Sequence, residues 1–226
     1  MSRLEAETAS ASARASIEDP PTAAGPGEPA IRPATVEDGA GVWRLVVDSG
    51  VLDVNSSYAY LLFLDHFGQT SVVAETGAED VVGFVTGFRP PRRPEVIFVW
   101  QVAVAESMRG RGLARRLLEA LIRLDGCRGA RYLETTVTPS NAPSRALFRS
   151  LARGLDAELT VSPYLGEELF PEEGHEPEEL HRIGPFRFTP SPPRSPSPAR
   201  AGEGDAPGPP RSPNAGGQRS ATRKDP

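Results

Sequence analysis

The sharpest chemical feature of the sequence is a Gly-rich basic turn. Val99-Trp100-Gln101-Val102-Ala103-Val104 reads as the end of a core strand, Arg109-Gly110-Arg111-Gly112 follows, and Leu113-Ala114-Arg115-Arg116 opens an amphipathic helix. Glycines let the backbone bend until several N–H groups converge. A helix N-terminus adds unpaired donors and partial positive charge. Strand, turn and helix start in this order make a cradle for a pyrophosphate, with Arg109, Arg111, Arg115 and Arg116 adding fixed charge. The loop lacks the terminal Lys and Ser/Thr of a Walker A motif, and it does not fit G-x-G-x-x-G. Taken alone, Gly110-Arg111-Gly112 reads better as an ordinary strand–helix turn with solvated arginines. Cys127, the single cysteine, follows Asp125-Gly126 in an expected loop with no histidine near it in sequence. A covalent route through this thiol is therefore disfavoured.

The elements around the turn must position it. Ile31–Ala34 can open as a strand, and Thr35-Val36-Glu37-Asp38 resembles a capping box before a helix that turns Val42, Trp43, Val46 and Val47 to one face. Asn55-Ser56-Ser57 can cap a second helix carrying Tyr58, Leu61, Leu62 and Leu64. Ser71–Glu75 and Val81–Phe88 read as a hairpin across Thr76-Gly77-Ala78-Glu79-Asp80, and Glu95–Val104 as a buried central strand. A helix over Leu113–Leu124 turns Leu117, Leu118, Leu121 and Ile122 inward. Strand Arg131–Val137 follows, then helix Asn141–Ala152 with Ala146, Leu147 and Leu151 inward, then strands Leu159–Tyr164 and Glu179–Phe188. The order β-α-α-β-β-β-α-β-α-β-β indicates an α/β fold, a mixed central sheet with flanking helices.

Composition sets the limits of that fold. Ten of the 24 prolines fall in the last 37 of 226 residues, a density that builds no packed core. Residues 1–30 and 187–226 are expected to be disordered, which leaves 31–186 as one domain. One cysteine excludes an internal disulfide, and the scattered histidines make no zinc site. No apolar run reaches the ~18 residues of a membrane span, and the N-terminus lacks the apolar segment of a signal peptide. A cytoplasmic protein is the expectation. The formal net charge of −5 argues against a nucleic-acid partner and fits a cationic small substrate, or ordinary solubility.

Arg109-x-x-Gly112-x-Ala114 after a β-rich run resembles the acetyl-CoA pyrophosphate motif of the GCN5-related N-acetyltransferase superfamily. Asn141-Ala142-Pro143-Ser144-Arg145-Ala146-Leu147-Phe148 resembles its second cofactor element, at the usual separation. Longer strings narrow the likeness. Leu52-Asp53-Val54-Asn55-Ser56-Ser57-Tyr58, Phe98–Val104, Arg131–Pro139 and Gly174-His175-Glu176-Pro177-Glu178 resemble the diaminobutyrate acetyltransferases of the ectoine pathway, across residues 31–186.

The resemblance implies the N-acetyltransferase fold, acetyl-CoA as co-substrate, a small-molecule diamine as acceptor and a homodimer, with the last strands at its interface. It implies that backbone groups of Val102 and Val104 pair with pantetheine, that Arg109, Gly110, Arg111, Gly112, Leu113 and Ala114 hold the pyrophosphate, and that Asn141 contacts the cofactor near the thioester or the pantetheine arm. A deprotonated amine would attack the thioester directly. Asp53, Glu134 and Glu176 are the candidate bases, and the same carboxylates could clamp the second ammonium. Asp53, Tyr58, Trp100, Thr135, His175 and Glu176 are the candidate substrate contacts. Each has a structural alternative: a helix cap for Asp53, core aromatics for Tyr58 and Trp100, β propensity for Thr135, an acidic surface turn for His175 and Glu176. Many superfamily members carry a proton-donating tyrosine where this chain has Phe148, which leaves water, Tyr58 or Tyr132 to protonate the thiolate.

Overall fold

The computed structural model describes residues 28–77, 80–171 and 173–186. Both expected arms, except Glu28, Pro29 and Ala30, lie outside the described residues, as do Ala78 and Glu79 of the expected hairpin turn and the last two residues of the expected final strand. The eleven expected elements form in the expected order. They are β1 (Ala30–Pro33), α1 (Gly39–Ser49), α2 (Ser57–Phe67), β2 (Val72–Glu75), β3 (Val81–Phe88), β4 (Val96–Val104), α3 (Leu113–Arg123), β5 (Tyr132–Val137), α4 (Ala142–Gly154), β6 (Leu159–Leu165) and β7 (Glu178–Ile183). The first strand starts at Ala30, one residue before the expected domain boundary, and Glu28 already pairs with Arg116 at 2.6 Å.

The strands make one sheet in the order β1-β2-β3-β4-β5-β7-β6. Every neighbouring pair is antiparallel except β4–β5, which is parallel. Side chains alternate across the pleat, so Val72 and Ala74 join a core with α3 and α4 while Val73 joins a second core with α1 and α2. Two helices therefore cover each face.

The helical faces depart from the sequence reading in three places. On α1, Leu45 is buried with Val42 and Val46, whereas Val47 is exposed. On α2, Tyr60 and Leu64 are buried, whereas Tyr58, Leu61 and Leu62 are exposed. On α4, Phe148, Leu151 and Ala152 are buried and Ala146 is exposed. Ser57–Phe67 is apolar at most positions, so periodicity alone cannot choose its inner face, and docking against the sheet does. The inward set of α3 is as expected, because its polar and apolar residues separate cleanly by helical spacing.

Two features of β4 create the site. Its parallel pairing with β5 covers only Val96–Val99, ending at Val99 opposite Thr135. Beyond that point the strands separate. Against β3, Thr86 pairs with Gln101 and Gly87 with Val99, so Trp100 is the extra residue of a β-bulge. The bulge turns two consecutive side chains, Trp100 and Gln101, toward α1 and α2.

Candidate active site

The gap between β4 and β5 is a cavity of about 640 Å³. Val102, Ala103 and Val104 of β4 line one wall, and Thr138, Asn141, Ser144 and Leu147 line the other. Ser49, Val51 and Leu52 from the α1–α2 connection close one side. A second cavity of about 520 Å³ continues past Val104 and Arg109 toward Asp48 and Glu106.

The backbone of β4 is suited to an extended ligand. Ala105 N–H donates to Val82 O at 2.8 Å, while Val104 is opposite Gly83 and Val102 opposite Val85. Ladder bonds alternate along an antiparallel pair. The amide groups of Val102 and Val104 therefore point away from β3, into the gap that β5 has left. Arg109 Nε takes the Val104 carbonyl at 3.3 Å, which holds this arginine across the groove.

The basic turn has the geometry of an anion cradle. Gly110 and Gly112 have φ of +74° and +73°, values that favour glycine. A Cβ at either would meet no protein atom within 4 Å, so the space above the turn is open. Gly112 is the N-cap of α3 and makes no side-chain cap bond. The first helical bond is Arg116 N–H to Gly112 O, which leaves the amides of Leu113, Ala114 and Arg115 without an intrahelical acceptor. Ala114 lines the cavity, whereas the Leu113 side chain is buried in the core, so Leu113 can offer only its backbone. The four arginines divide. Arg115 pairs with Glu119 at 2.8 Å and Arg116 with Glu28 at 2.6 Å, while Arg109 lines both cavities and Arg111 is exposed and lines neither.

The carboxylates separate into bonded and available groups. Glu134 is fully buried on β5, gripped by Arg93 and Arg182 at 2.6 Å each, and lines neither cavity. Both its oxygens are taken, so as a candidate base it is corrected to a structural ion pair. We expect Glu134→Gln to cost about 2–3 kcal/mol in a denaturant titration, since it leaves the two guanidiniums without their counter-charge, while both Michaelis constants stay unchanged. Glu176 accepts from Ser140 N–H at 3.1 Å and from the Ser140 hydroxyl. It ties the β6–β7 connection to the cavity wall rather than standing free as a base. Asp53 lies in the α1–α2 connection, where its carbonyl accepts from Gln101 Nε2 at 3.2 Å.

Glu178, the last residue of the Gly174–Glu178 string, is the carboxylate that the sequence candidates omit. Burial pushes its carboxyl up from the ordinary value, and the charges of Asp53 and Glu176 push the same way, against a hydrogen bond from Thr136 and the charge of His175. Its Oε2 is enclosed and has no hydrogen-bond partner among the described residues. Asp53, Glu176 and Glu178 thus form one acidic constellation, brought together from two distant connections and the start of β7. Nothing in the local spacing marks Glu178, because Thr136 and Asp53, which face it with its neighbours His175 and Glu176, are distant in the chain.

The other candidates fall as follows. Trp100 stacks on Tyr60 at 5.9 Å and tilts against Phe63 at 4.9 Å, in the aromatic packing beneath α2. Tyr58 is 67% exposed on the first turn of α2 and lines neither cavity. Thr135 is buried in the α4-facing side of the sheet, opposite His181, and the neighbouring Thr136 faces the acidic constellation instead. His175 stacks on Phe170 at 3.7 Å. Asn141 caps α4 by accepting from Ser144 N–H at 3.1 Å and also lines the cavity. Phe148 is buried in the core, and Tyr132 lies under the Arg182 guanidinium at 3.8 Å. Neither Tyr58 nor Tyr132 lines the cavity, so the hydroxyls at hand there are those of Ser49, Thr138, Ser140 and Ser144. Burial pushes the Cys127 thiol up to about 12, which leaves it no thiolate for nucleophilic work.

Residues 41–152 match the model of the Acetyltransferase (GNAT) family. An L-2,4-diaminobutyric acid acetyltransferase of Marinococcus halophilus is 52% identical over 152 residues, 67% of this chain and 87% of the relative. The same enzyme of Streptomyces anulatus is 49% identical over 152 residues, 67% of this chain and 86% of the relative. Among solved structures, diaminobutyrate acetyltransferase EctA from Paenibacillus lautus, in complex with its substrate L-2,4-diaminobutyric acid and coenzyme A, is 45% identical with a TM-score of 0.68. That match covers 73% of this chain and 99% of that one. The chain belongs to the GNAT acetyltransferase family and, within it, to the L-2,4-diaminobutyric acid acetyltransferases.

Proposed function

We propose that the chain transfers the acetyl group of acetyl-CoA to the 4-amino group of L-2,4-diaminobutyrate, giving N4-acetyl-L-2,4-diaminobutyrate on the route to the compatible solute ectoine. The observation that carries this reading is the acidic constellation of Asp53, Glu176 and Glu178, which adjoins the β4–β5 cavity through Leu52, next to Asp53, and through Ser140, the hydrogen-bond partner of Glu176. It suits a substrate with two ammonium groups, one to be held and one to be deprotonated. The relatives' names and the diaminobutyric acid in the Paenibacillus lautus complex support the same substrate.

Bound acetyl-CoA supplies the activated acyl group. The open turn at Gly110 and Gly112 and the free amides of α3 receive its pyrophosphate, with Arg109 beside them. The outward amides of Val102 and Val104 hold the pantetheine arm in line with the gap. The Val102 N–H, which points away from β3, is the donor proposed to polarise the acetyl carbonyl, a contribution of roughly 3 kcal/mol where such a donor has been removed elsewhere. Glu178 accepts the proton of the attacking ammonium, because a carboxyl raised by burial is a stronger base than an exposed one. Asp53 holds the other ammonium. Ser140 and Glu176 fasten the β6–β7 connection over the acidic pocket. Holding amine and thioester together removes much of the entropic barrier.

The protein is further proposed to act in the cytoplasm under osmotic stress, as a homodimer. The exposed apolar residues Val161 and Tyr164 on the edge strand β6 support an interface at the last strands. Thiol release from acetyl-CoA with a panel of amines tests the activity. Diaminobutyrate should exceed ornithine and spermidine by at least tenfold in kcat/KM. Equal rates would remove the substrate assignment, and acetyl-CoA binding without release on any amine would reduce the chain to a binding module.

A further inference from the structure

Gln101 carries an unspent acceptor. It is 7% exposed, and the β4 bulge turns it to the α1/α2 side of the sheet. Its Nε2 is used, donating to the Asp53 carbonyl at 3.2 Å. Its Oε1 is enclosed and has no partner among the described residues. A buried carbonyl oxygen normally finds a donor, and an unpaired one calls for an explanation. The next residues of β4, Val102 and Ala103, line the cofactor cavity, as does Leu52 immediately before Asp53. The orphan acceptor therefore belongs to a side chain that joins the groove wall to the acidic pocket.

We infer that Gln101 is a specificity residue whose Oε1 accepts a hydrogen bond from the non-reacting 2-ammonium of the diamine, with the Asp53 carboxylate supplying the counter-charge. The division of labour follows from chemistry. A carboxamide oxygen does not take up a proton at neutral pH, so it can hold an ammonium without deprotonating it. Gln101 and Asp53 are tied together by the Nε2 bond and act as one receptor for a group that must stay charged. The amine that must lose a proton falls to Glu178. The Nε2 bond also fixes the orientation of the carboxamide and so sets Oε1, the atom without a partner among the described residues, toward the ligand.

This rests on the acetyl-transfer reading above, and the test separates the two. The probes are L-2-aminobutyrate, which keeps the 2-ammonium, and 4-aminobutyrate, which lacks it, each titrated as a competitor of diaminobutyrate turnover and directly by calorimetry. In Gln101→Met, of similar length and without the acceptor, the diaminobutyrate KM should rise at least tenfold, and 2-aminobutyrate should weaken by a similar factor. Binding of 4-aminobutyrate and the acetyl-CoA KM should stay within twofold. Gln101→Glu keeps acceptor oxygens but loses the donor to the Asp53 carbonyl, so its affinity for 2-aminobutyrate should fall between those of the parent and the Met variant. Equal losses for both analogues, no loss for either, or a Glu variant as weak as Met would overturn the inference. A parent protein that releases no thiol with diaminobutyrate would instead overturn the substrate assignment. Near-ultraviolet circular dichroism and the acetyl-CoA KM report whether each variant has kept its fold.

Discussion

Glu178→Gln is expected to lower kcat for diaminobutyrate by about 10²–10³-fold, the usual scale for losing a positioned general base. Acetyl-CoA affinity should not change, because Glu178 lies at the start of β7 and the cradle is built from β4 and α3. The distinguishing signature is in the pH dependence. Burial raises the Glu178 carboxyl above its ordinary value, so the acid limb of the parent's pH–rate profile should bend at that raised value. The variant should lose that bend. Glu134→Gln and Glu176→Gln should keep it, since those carboxylates are already committed to arginines and to Ser140. An unaltered acid limb in Glu178→Gln would remove Glu178 from the proton path.

The same shift has a consequence for stability, and its sign is the reverse of the common carboxylate case. A raised folded-state value means that the folded protein binds this proton more tightly than the unfolded chain. Stability then falls as pH rises from the unfolded glutamate value of about 4.3 through the raised folded value. Above that window the ionised side chain costs stability, in the absence of substrate. Glu178→Gln, which never ionises there, should melt at a higher temperature than the parent at neutral pH, and the difference should close below about pH 4. A variant both slower and more stable is the mark of a group kept for chemistry rather than for the fold.

The order of elements was readable because most segments announce themselves. Leu117, Leu118, Leu121 and Ile122 repeat at helical spacing against arginines on the other face, and the run Val96–Val104 is too β-branched and aromatic for an exposed segment. The cradle was readable for the same reason, since strand, glycines and helix start are contiguous in sequence. The amine side was only partly readable. Its groups come from the α1–α2 connection, from β4 and from the β6–β7 connection, and the contact between them is made by tertiary packing. The bulge at Trp100 is decisive here. Without it Trp100 and Gln101 would face opposite ways, as simple alternation predicts, and Gln101 could not reach Asp53. Glu134 misled because a carboxylate inside a β-strand looks functional until its two arginines, one from the β3–β4 connection and one from β7, are seen. Thr135 and Thr136 show the same limit on a smaller scale, for a one-residue choice of face decides which of them meets the acidic pocket.

Gly112→Trp should weaken acetyl-CoA binding by two orders of magnitude or more, about 3 kcal/mol on the affinity scale. Two effects of different kind meet at this position. With φ of +73°, any side chain strains the backbone, at a cost of roughly 1–2 kcal/mol to the folded state. A large side chain also fills the open space above the turn, where no protein atom lies within 4 Å of a Cβ, and so occupies the place of the phosphates. The two are separable. Gly112→Ala imposes the strain with little bulk, and should lower the melting temperature while weakening acetyl-CoA far less than Trp does. Gly129→Ala, at φ of +83° and equally open, imposes the same strain in the connection between α3 and β5, outside both cavities. It should lower stability by a similar amount and leave acetyl-CoA affinity unchanged. Isothermal titration with acetyl-CoA and thermal melts give an affinity and a melting temperature for each of the three variants. If Gly112→Trp binds acetyl-CoA like Gly129→Ala, the glycines serve only the turn, and the pyrophosphate must sit elsewhere along the groove.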